Sequence, residues 1–312
     1  GGFLLFVFLL PYVCASLWGH VGEDAEKLRS SSIEREEASP HQIKVAFKWG
    51  IWELSMEEYL IHKLSAVMPQ DYEKEAMKAQ AVLLRTELIQ ALREQAGQSL
   101  TLTGEGFEDW YEEDIYSEAF AAWRQAVEET EGLYLSWEGE AVQASYFPLS
   151  NGRTRDAAKV WETDRRPYLR SVDCVQDKAS PSYSSSARVS RAEYIRAVQS
   201  KLGGVYTEQE IWEQVEFVYD DAGYVTKVLF TAEDEDKESV QIDGETYRHL
   251  FGLASASFEV EKEERQIIFR VKGVGHGFGM SQYGANCMAL NGKTYDEILE
   301  EFFYRTELAK FE

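Results

Sequence analysis

The sequence is poor in the residues that build metal centres, disulfide frameworks and nucleic-acid surfaces. Its 312 residues include 3 cysteines and 5 histidines, with no Cys-x-x-Cys and no His-Glu-x-x-His spacing. A structural zinc site or a disulfide framework therefore has little support. Lysine and arginine total 32 against 55 aspartates and glutamates, which gives a formal net charge of -23. Because such a surface repels phosphate backbones, we expect no nucleic-acid partner.

One long uncharged run is present near the start, Phe3–Trp18. It falls just short of the ~20 residues that span a bilayer as a helix, so both a cleaved signal peptide and an uncleaved anchor fit it. On the length criterion we favour an anchor over residues 1–19. The polar stretch 20–42 then predicts a tether. We expect a cell-membrane protein whose main domain, residues 43–312, lies outside the cytoplasm.

The rest of the chain predicts a mixed α+β fold with a long buried helix and a β-rich lobe over about residues 189–265. Hydrophobic residues make up 44% of the sequence, enough for a sizeable core. The predicted elements are a strand at IKVAFKW, a helix over Met56–Leu64, a long helix from an N-cap at Asp71 to about Arg93, a helix within Phe107–Glu131, strands over Gly132–Phe147, a mobile loop over Gln176–Arg188, a helix over Ala192–Leu202, alternating strands and turns over Val215–Phe258, and an amphipathic helix over Thr294–Tyr304.

The predicted long helix carries a glutamate on an apolar face. At 100° per residue, Glu75 shares its face with Ala79, Val82, Thr86 and Ile89, and a second apolar face lies almost opposite. A helix buried on two sides places this glutamate in or beside a crevice. Burial would favour a neutral carboxyl suited to donating a proton, whereas the nearby helix N-terminus favours the carboxylate. The pattern alone also fits a surface glutamate in a first helical turn.

Three motifs together resemble the stage II sporulation protein D family. The helix motif is MP…EKEAMKAQAVLLRTE, and the middle motif is SYFPLSNGRT…VW…PYLRSV over Ser145–Val172. The C-terminal motif is GHGFGMSQYGANCMALNGKTYDEILEEFFYRTEL, and YRHLFGLASASFEV fits the segment before it. The resemblance covers about Ile43–Leu308, with the motifs in the family's order.

The resemblance implies a membrane-anchored lytic transglycosylase that acts on peptidoglycan glycan strands stripped of their stem peptides. It also implies a role in engulfment of the forespore, in the space between the two membranes, with stage II sporulation proteins P and M as partners. Matching the helix motif places the family's catalytic glutamate at Glu75. One carboxylate is enough, because the C6 hydroxyl of the muramic acid itself attacks the anomeric carbon.

The other motifs predict the residues around the glycan. We expect the alternating glycines to let backbone approach the sugar rings, with Asn151–Gly152 as a turn lining the cleft. Two alternatives stay open. His276 and Tyr283 would then only fasten buried backbone groups, and Asn151–Gly152 would be an ordinary hairpin turn. The predicted substrate-binding residues are His276, Ser281, Gln282, Tyr283, Ser150, Asn151 and Gly152, and the predicted supporting residues are Gln80, Arg85, Gly275 and Gly277.

Some positions depart from the family pattern. Val67 stands where many members have an acid, and Pro148 and Leu149 precede the Ser-Asn-Gly where others have different residues. Some relatives hold a metal near the middle motif with Cys and His. Here Cys174 is the only nearby thiol and has no histidine beside it, so we predict no metal and no cofactor. A non-catalytic amidase enhancer that binds wall polymer is the alternative function, and a structural wall anchor is a third; the intact Glu75 favours the enzyme.

Overall fold

The computed structural model describes residues 42–47, 50–94, 101–103, 115–203, 206–232 and 239–311. Within these ranges, helices and small sheets alternate along the chain, which confirms the α+β class. The helices are α1 (Met56–Val67), α2 (Lys74–Glu94), α3 (Ala121–Glu128), α4 (Ala157–Trp161), α5 (Arg191–Leu202), α6 (Glu208–Glu213), α7 (Gly244–Leu250), α8 (Gln282–Leu290) and α9 (Tyr295–Phe302). The strands are β1 (Gln42–Phe47), β2 (Gly50–Ser55), β3 (Thr101–Thr103), β4 (Leu133–Trp137), β5 (Glu140–Ala141), β6 (Tyr146–Phe147), β7 (Ser184–Ser190), β8 (Val215–Tyr219), β9 (Val225–Phe230), β10 (Val240–Asp243), β11 (Phe258–Lys262), β12 (Gln266–Lys272), β13 (Met280–Ser281) and β14 (Glu307–Lys310).

Helix α2 lies at the centre of the larger hydrophobic core. Its sequence is rich in alanine, leucine and other strong helix formers, and it runs for 21 residues. Neighbours α1, α3, α8, α9 and β4 all pack on it. The face predicted from the sequence and the face opposite are both buried, so the predicted two-sided burial is confirmed.

The predicted N-cap of this helix was wrong. Helix α2 begins at Lys74, three residues after Asp71. Asp71 lies instead in a turn after Pro69, whose carbonyl accepts a hydrogen bond from the Tyr72 amide at 3.3 Å. A further difference concerns Phe107–Glu131: residues 107–114 lie outside the described ranges, and the helical part that follows is a 3-10 turn plus the eight-residue α3.

Two three-stranded sheets flank this core, in the orders β2-β1-β3 and β14-β4-β5. The second is fastened directly to α2, because Thr86 Oγ1 accepts a hydrogen bond from the Leu135 amide at 2.8 Å. A short parallel pair, β6 with β13, joins the middle motif to the C-terminal motif through Tyr146–Met280 and Phe147–Ser281. This pairing brings two segments that are far apart in the sequence to one place.

A second hydrophobic cluster is built from residues 194–271. Sheets β10-β9-β8 and β11-β12-β7 enclose it, and its centre is aromatic, with Tyr194, Tyr247, Phe258 and Phe269 all buried. Over Val215–Phe258 the predicted strands are confirmed as β8, β9 and β10, but the segment after β10 is helix α7 rather than a turn. The Asp243 carboxylate starts α7 by accepting hydrogen bonds from the amides of the next turn, a capping pattern hidden in an acidic stretch.

The predicted mobile loop over Gln176–Arg188 was also wrong. A 3-10 turn covers Val175–Ala179, and β7 begins at Ser184 and pairs antiparallel with β12 along its whole length. Because β7 is an edge strand whose serines face solvent, its backbone hydrogen bonds hold it in place rather than apolar side chains. Its composition therefore resembled a loop.

No helix among the described residues is long and apolar enough to cross a membrane. The predicted anchor lies outside the described residues, as does the predicted tether up to residue 41; β1 begins at Gln42.

Candidate active site

Glu75 lies in the first turn of α2, and 27% of its side chain is exposed to solvent. Its Oε2 accepts a hydrogen bond from the backbone amide of Tyr295 at 2.8 Å. Tyr295 is the first residue of α9, so the N-termini of two helices converge on one carboxylate. Free amides and helix dipoles at such ends favour negative charge. The sequence placed Glu75 on α2 but gave no sign of α9 beside it.

Lys78 holds the other oxygen of Glu75. Its Nζ lies 2.9 Å from Glu75 Oε1 and 3.4 Å from Glu129 Oε2, and it sits 4.5 Å from the centre of the Tyr295 ring. Burial alone would lower the pKa of Lys78, but the hydrogen bonds and charges of the two glutamates outweigh burial and raise it. Lys78 is therefore a cation shared by two acids. Glu129 was not predicted, because it lies in the turn after α3, outside every motif.

Helix α8 forms a second wall beside the first turns of α2. Gln282 is buried, and its Nε2 donates to Gln80 Oε1 at 3.1 Å and to the Val67 carbonyl at 3.0 Å. Asn286 Oδ1 accepts a hydrogen bond from the Glu73 amide at 2.7 Å, which satisfies a free amide at the start of α2. The C-terminal motif thus fixes the helix that carries Glu75. Both hydrogen-bond acceptors of the Gln282 side chain, one from a side chain and one from the backbone, therefore belong to the protein itself.

Arg85 is fully buried three turns further along α2. Its guanidinium forms a bidentate pair with Glu57, at 2.9 and 2.6 Å, and donates to the carbonyls of Leu133 and Val127. Five donors in a fixed fork suit this position, since the guanidinium satisfies several elements at once. Arg85 therefore holds α1, α2 and β4 together and has no contact with Glu75.

The alternating glycines have positive φ values, from 74° at Gly273 to 107° at Gly275. We expected them to let backbone approach a sugar, but the space that a Cβ would need is filled by the protein itself. A Cβ on Gly273 would lie 2.7 Å from the Leu149 carbonyl oxygen, and one on Gly275 would lie 2.7 Å from Phe147 Cβ. The glycines therefore permit close packing of the C-terminal motif on the middle motif.

His276 lies within this glycine segment and contacts protein groups. Its Nδ1 accepts a hydrogen bond from the Phe278 amide at 3.1 Å, and its ring packs against Phe147. Arg155 donates to its carbonyl oxygen at 3.2 Å. Burial, with the positive charges of Arg248 and Arg155, lowers the pKa of His276 to about 4, so the ring is neutral at pH 7. Its position matches the fastening alternative left open by the sequence.

Asp177 is a buried carboxylate that sequence reasoning missed. Its Oδ2 accepts hydrogen bonds from Ser281 Oγ at 2.6 Å and from the Ser150 amide at 2.8 Å, and so ties the middle motif to the start of α8. Burial raises the pKa of Asp177, while these hydrogen bonds act in the opposite direction. Ser150 and Ser281 are themselves fully buried. Asp177 was missed because it lies in the predicted loop over Gln176–Arg188. An aspartate before a serine-rich stretch does not by itself indicate a buried acceptor.

Asn151–Gly152 differs from its prediction in one respect. The positive φ, 108°, belongs to Gly152 rather than to Asn151. The Asn151 side chain turns towards the second cluster, where its Nδ2 donates to the Ala222 carbonyl and to Ser257 Oγ, both at 2.8 Å. This pair therefore joins the middle motif to the lobe.

Tyr283 is the predicted binding residue of α8 that keeps an exposed part of its ring. Burial, then the nearby Cys287 and Asp177, raise the pKa of Tyr283. Burial also raises the pKa of Tyr72, followed by the charges of Asp71 and Tyr283. Tyr72 lies just before α2, so two tyrosines border the start of the helix that carries Glu75. Among the described residues, no group of three or more His, Cys, Asp or Glu side chains is placed to hold a metal ion.

Comparisons with known proteins agree with the motifs. A family model described as Stage II sporulation protein matches residues 49–137. Stage II sporulation protein D of Bacillus subtilis (strain 168) is 30% identical over 305 residues, which cover 91% of this chain and 83% of that protein. The protein of the same name from Bacillus amyloliquefaciens is 31% identical over 273 residues, 82% of this chain and 75% of that protein. The amidase enhancer of Bacillus subtilis (strain 168) is 24% identical over 290 residues, 78% of this chain and 39% of that protein.

Proposed function

The chain belongs to the stage II sporulation protein D family, and from that premise we propose that it is a peptidoglycan lytic transglycosylase. It cleaves the bond between N-acetylmuramic acid and N-acetylglucosamine in glycan strands stripped of stem peptides. The observation that carries the proposal is Glu75, a partly exposed carboxylate held by the Tyr295 amide and by Lys78 at the start of two helices.

A single carboxylate serves both halves of this reaction. Glu75 protonates the glycosidic oxygen, the bond from that oxygen to C1 of muramic acid breaks, and the N-acetylglucosamine end leaves with a new hydroxyl. The C6 hydroxyl of the same muramic acid then bonds to C1, and its proton passes to Glu75. The product ends in 1,6-anhydro-muramic acid, water is not consumed, and the carboxyl regains its proton.

Lys78 and the α9 amide support the ionised half of this cycle. Both are donors to Glu75, so they favour the carboxylate that forms after protonation of the leaving oxygen. Lys78 has a second partner in Glu129, 3.4 Å away, and can turn towards it when Glu75 holds a proton. The arrangement lets one lysine follow the charge of the catalytic group.

In the cell we propose a membrane-held protein outside the cytoplasm that works during engulfment of the forespore, with stage II sporulation proteins P and M as partners. These proposals rest on the resemblance to the family. The second candidate function is a non-catalytic amidase enhancer, which the 24% match to such a protein favours. Glycan cleavage distinguishes the two.

Glu75→Gln tests the proposal, because the amide keeps the shape of the side chain and loses the transferable proton. Turnover of peptide-stripped glycan should fall by about 10²–10⁴-fold with folding preserved. Glu73→Gln is the matched control: it removes the same charge two positions away, from an exposed side chain, and should keep turnover.

The products decide the reaction type. Mass spectrometry of the wild-type digest should show 1,6-anhydro-muramic ends. Reducing ends that carry oxygen-18 from labelled water would show a hydrolase instead, and no cleavage at all would favour the enhancer. Anhydro products released by Glu75→Gln at the wild-type rate would remove Glu75 from the mechanism.

A further inference from the structure

A groove lies on the surface between the β4–β5 turn, the RRPYLR segment and the residues that follow α9. It has a volume of about 420 Å³, and we call it the arginine groove. The residues that give it its chemistry are Trp137, Glu138, Arg170, Tyr304, Arg305 and Glu307. None of them has a part in the site described above.

The two arginines of this groove are exposed and stacked on one aromatic ring. The Arg170 guanidinium lies 3.8 Å from the centre of the Tyr304 ring, and that of Arg305 lies 4.9 Å from it. Within the described ranges, no salt bridge includes either arginine, although the chain carries a net charge of -23. Arg170 Nε donates a hydrogen bond to the Pro167 carbonyl at 3.3 Å, which orders this side chain. Among the described residues, the other N–H donors of Arg170 and those of Arg305 have no hydrogen-bond partner, so they are available for a planar anion.

The backbone of the groove is strained at two points. Three non-glycine residues of the described chain have positive φ, and two of them line this groove, Glu138 at 53° and Arg305 at 58°. Glu138 and Gly139 form the two-residue hairpin turn between β4 and β5, a type of turn that requires positive φ at both positions. The strain at Arg305 fixes the direction in which this side chain leaves the backbone.

Helix α9 connects the groove with the candidate active site. Its first amide donates to Glu75, and Tyr304 follows two residues after its end, where the Tyr304 amide donates to the Tyr168 carbonyl at 3.0 Å. A helix of 8 residues advances about 12 Å. Glu75 and Tyr304 therefore lie near the two ends of α9, a separation that a few sugar rings of an extended strand would span.

We propose that the arginine groove is a second subsite for the glycan strand, and that it binds the free lactyl carboxylate of a muramic acid residue. This inference rests on the proposed function. Arg170 and Arg305 suit the carboxylate, Glu138 and Glu307 accept hydrogen bonds from sugar hydroxyls, and Trp137 offers a ring face for the apolar side of the sugar. A muramic acid that carries a stem peptide has an uncharged amide at the lactyl group, so the groove selects stripped strands.

Binding of soluble glycan oligomers tests the inference, with the full chain in the Glu75→Gln background so that cleavage does not enter. One oligomer carries free lactyl carboxylates, and its partner has them converted to N-methylamides. The parent should bind the carboxylate form more tightly, and added salt should weaken this preference. Arg170→Gln combined with Arg305→Gln should weaken binding of the carboxylate form by about tenfold or more, with little effect on the amide form.

Two further variants separate recognition from folding and from overall charge. Arg170→Lys keeps the charge but loses the planar fork, and should give an intermediate loss. Arg196→Gln removes an equal charge from the exposed face of α5 and should bind like the parent. Each single glutamine variant replaces an exposed side chain, so the singles report on the groove even where the double variant is unstable.

Equal binding of the two oligomers by the parent, or unchanged binding by the double variant, would overturn the inference. These results are independent of catalysis. Carboxylate-dependent binding without release of anhydro products by the wild type would leave the groove assigned and remove the transglycosylase. Release of anhydro products by the wild type, with no effect of the two arginine substitutions on binding, would support the transglycosylase and overturn the assignment of the groove.

Discussion

Acid should destabilise the folded protein through His276. Burial and the charges of Arg248 and Arg155 lower its pKa from 6.5 to about 4 in the folded chain. As the pH falls below 6.5, the unfolded chain therefore binds a proton on this imidazole, whereas the folded chain binds it only near pH 4. The stability that the neutral ring contributes is fully present above pH 6.5 and is lost as the pH falls towards about 4. The change in pKa from 6.5 to about 4 corresponds to about 3 kcal/mol.

His276→Asn isolates this contribution. The asparagine Oδ1 can take the place of Nδ1 as acceptor for the Phe278 amide, 3.1 Å away, while the titrating ring and its packing on Phe147 are removed. The variant should be less stable than the wild type at neutral pH by about 1–3 kcal/mol. That difference should shrink as the pH approaches 4, because the variant has no buried imidazole to keep neutral.

Urea unfolding at a series of pH values between neutral and about 4 measures the effect, with proton NMR of the imidazole as an independent readout. Phe278→Leu is the control: it loosens the packing beside the ring but keeps His276, so its stability should still fall as the pH drops from 6.5 towards about 4. Parallel curves for His276→Asn, or a His276 resonance that titrates near 6.5 in the folded protein, would refute the reasoning.

Two further predictions concern the contacts between the middle and C-terminal motifs. Asp177→Ala should lower the free energy of unfolding by about 2–5 kcal/mol in urea titrations, because the Ser150 amide and Ser281 hydroxyl lose their buried acceptor. Asp177→Asn keeps an acceptor there and should change it by under about 1 kcal/mol, so equal losses in the two variants would contradict this role. Gly279→Ala should cost about 2–4 kcal/mol, since its φ is 75° and the new Cβ would meet the Ser145 carbonyl. Gly292→Ala, at φ 84° with open space around it, should show only the smaller backbone cost, and a matching loss would remove the close approach as the cause.

Long periodic segments were the predictable part of this fold. Apolar residues at helical spacing predict α2, and an amphipathic pattern after Thr294 predicts α9. In the structure, Thr294 is the first residue of a capping box. In both, many residues carry the same signal, so no single position decides. The boundary at Asp71 failed because a turn after Pro69 uses the residues that would otherwise cap the helix.

Elements held by backbone pairing were not predictable. Strand β7 is serine-rich and exposed, and it exists because β12 offers it a complete ladder of hydrogen bonds. Nothing local in its sequence contains that information. The same limit explains why Asp177 was missed, since its importance comes from Ser150 and Ser281, one 27 residues before it and the other 104 after it.

The predicted site residues separate into two groups once their partners are known. Glu75 presents a partly exposed carboxylate, and among the described residues the Lys78 ammonium and the Tyr295 amide bind it. Ser150, Ser281 and Gln282 are buried and bind other parts of the protein. A motif rich in hydroxyls and amides suggests a sugar site from the sequence, because the same groups that bind a sugar also satisfy buried backbone.

Substitutions at the buried residues Ser150, Ser281 and Gln282 should affect Glu75 indirectly. Substitution of a fastening residue moves the start of α8, and through Gln282 and Asn286 it moves the first turn of α2, where Glu75 lies. If the proposed function holds, such a variant should lose turnover without any contact to the glycan, since small misplacements of a catalytic group are costly. A direct role needs a variant whose stability is unchanged while turnover falls. We expect Glu75→Gln to behave in this way, because the side chain is partly exposed and the amide keeps its shape.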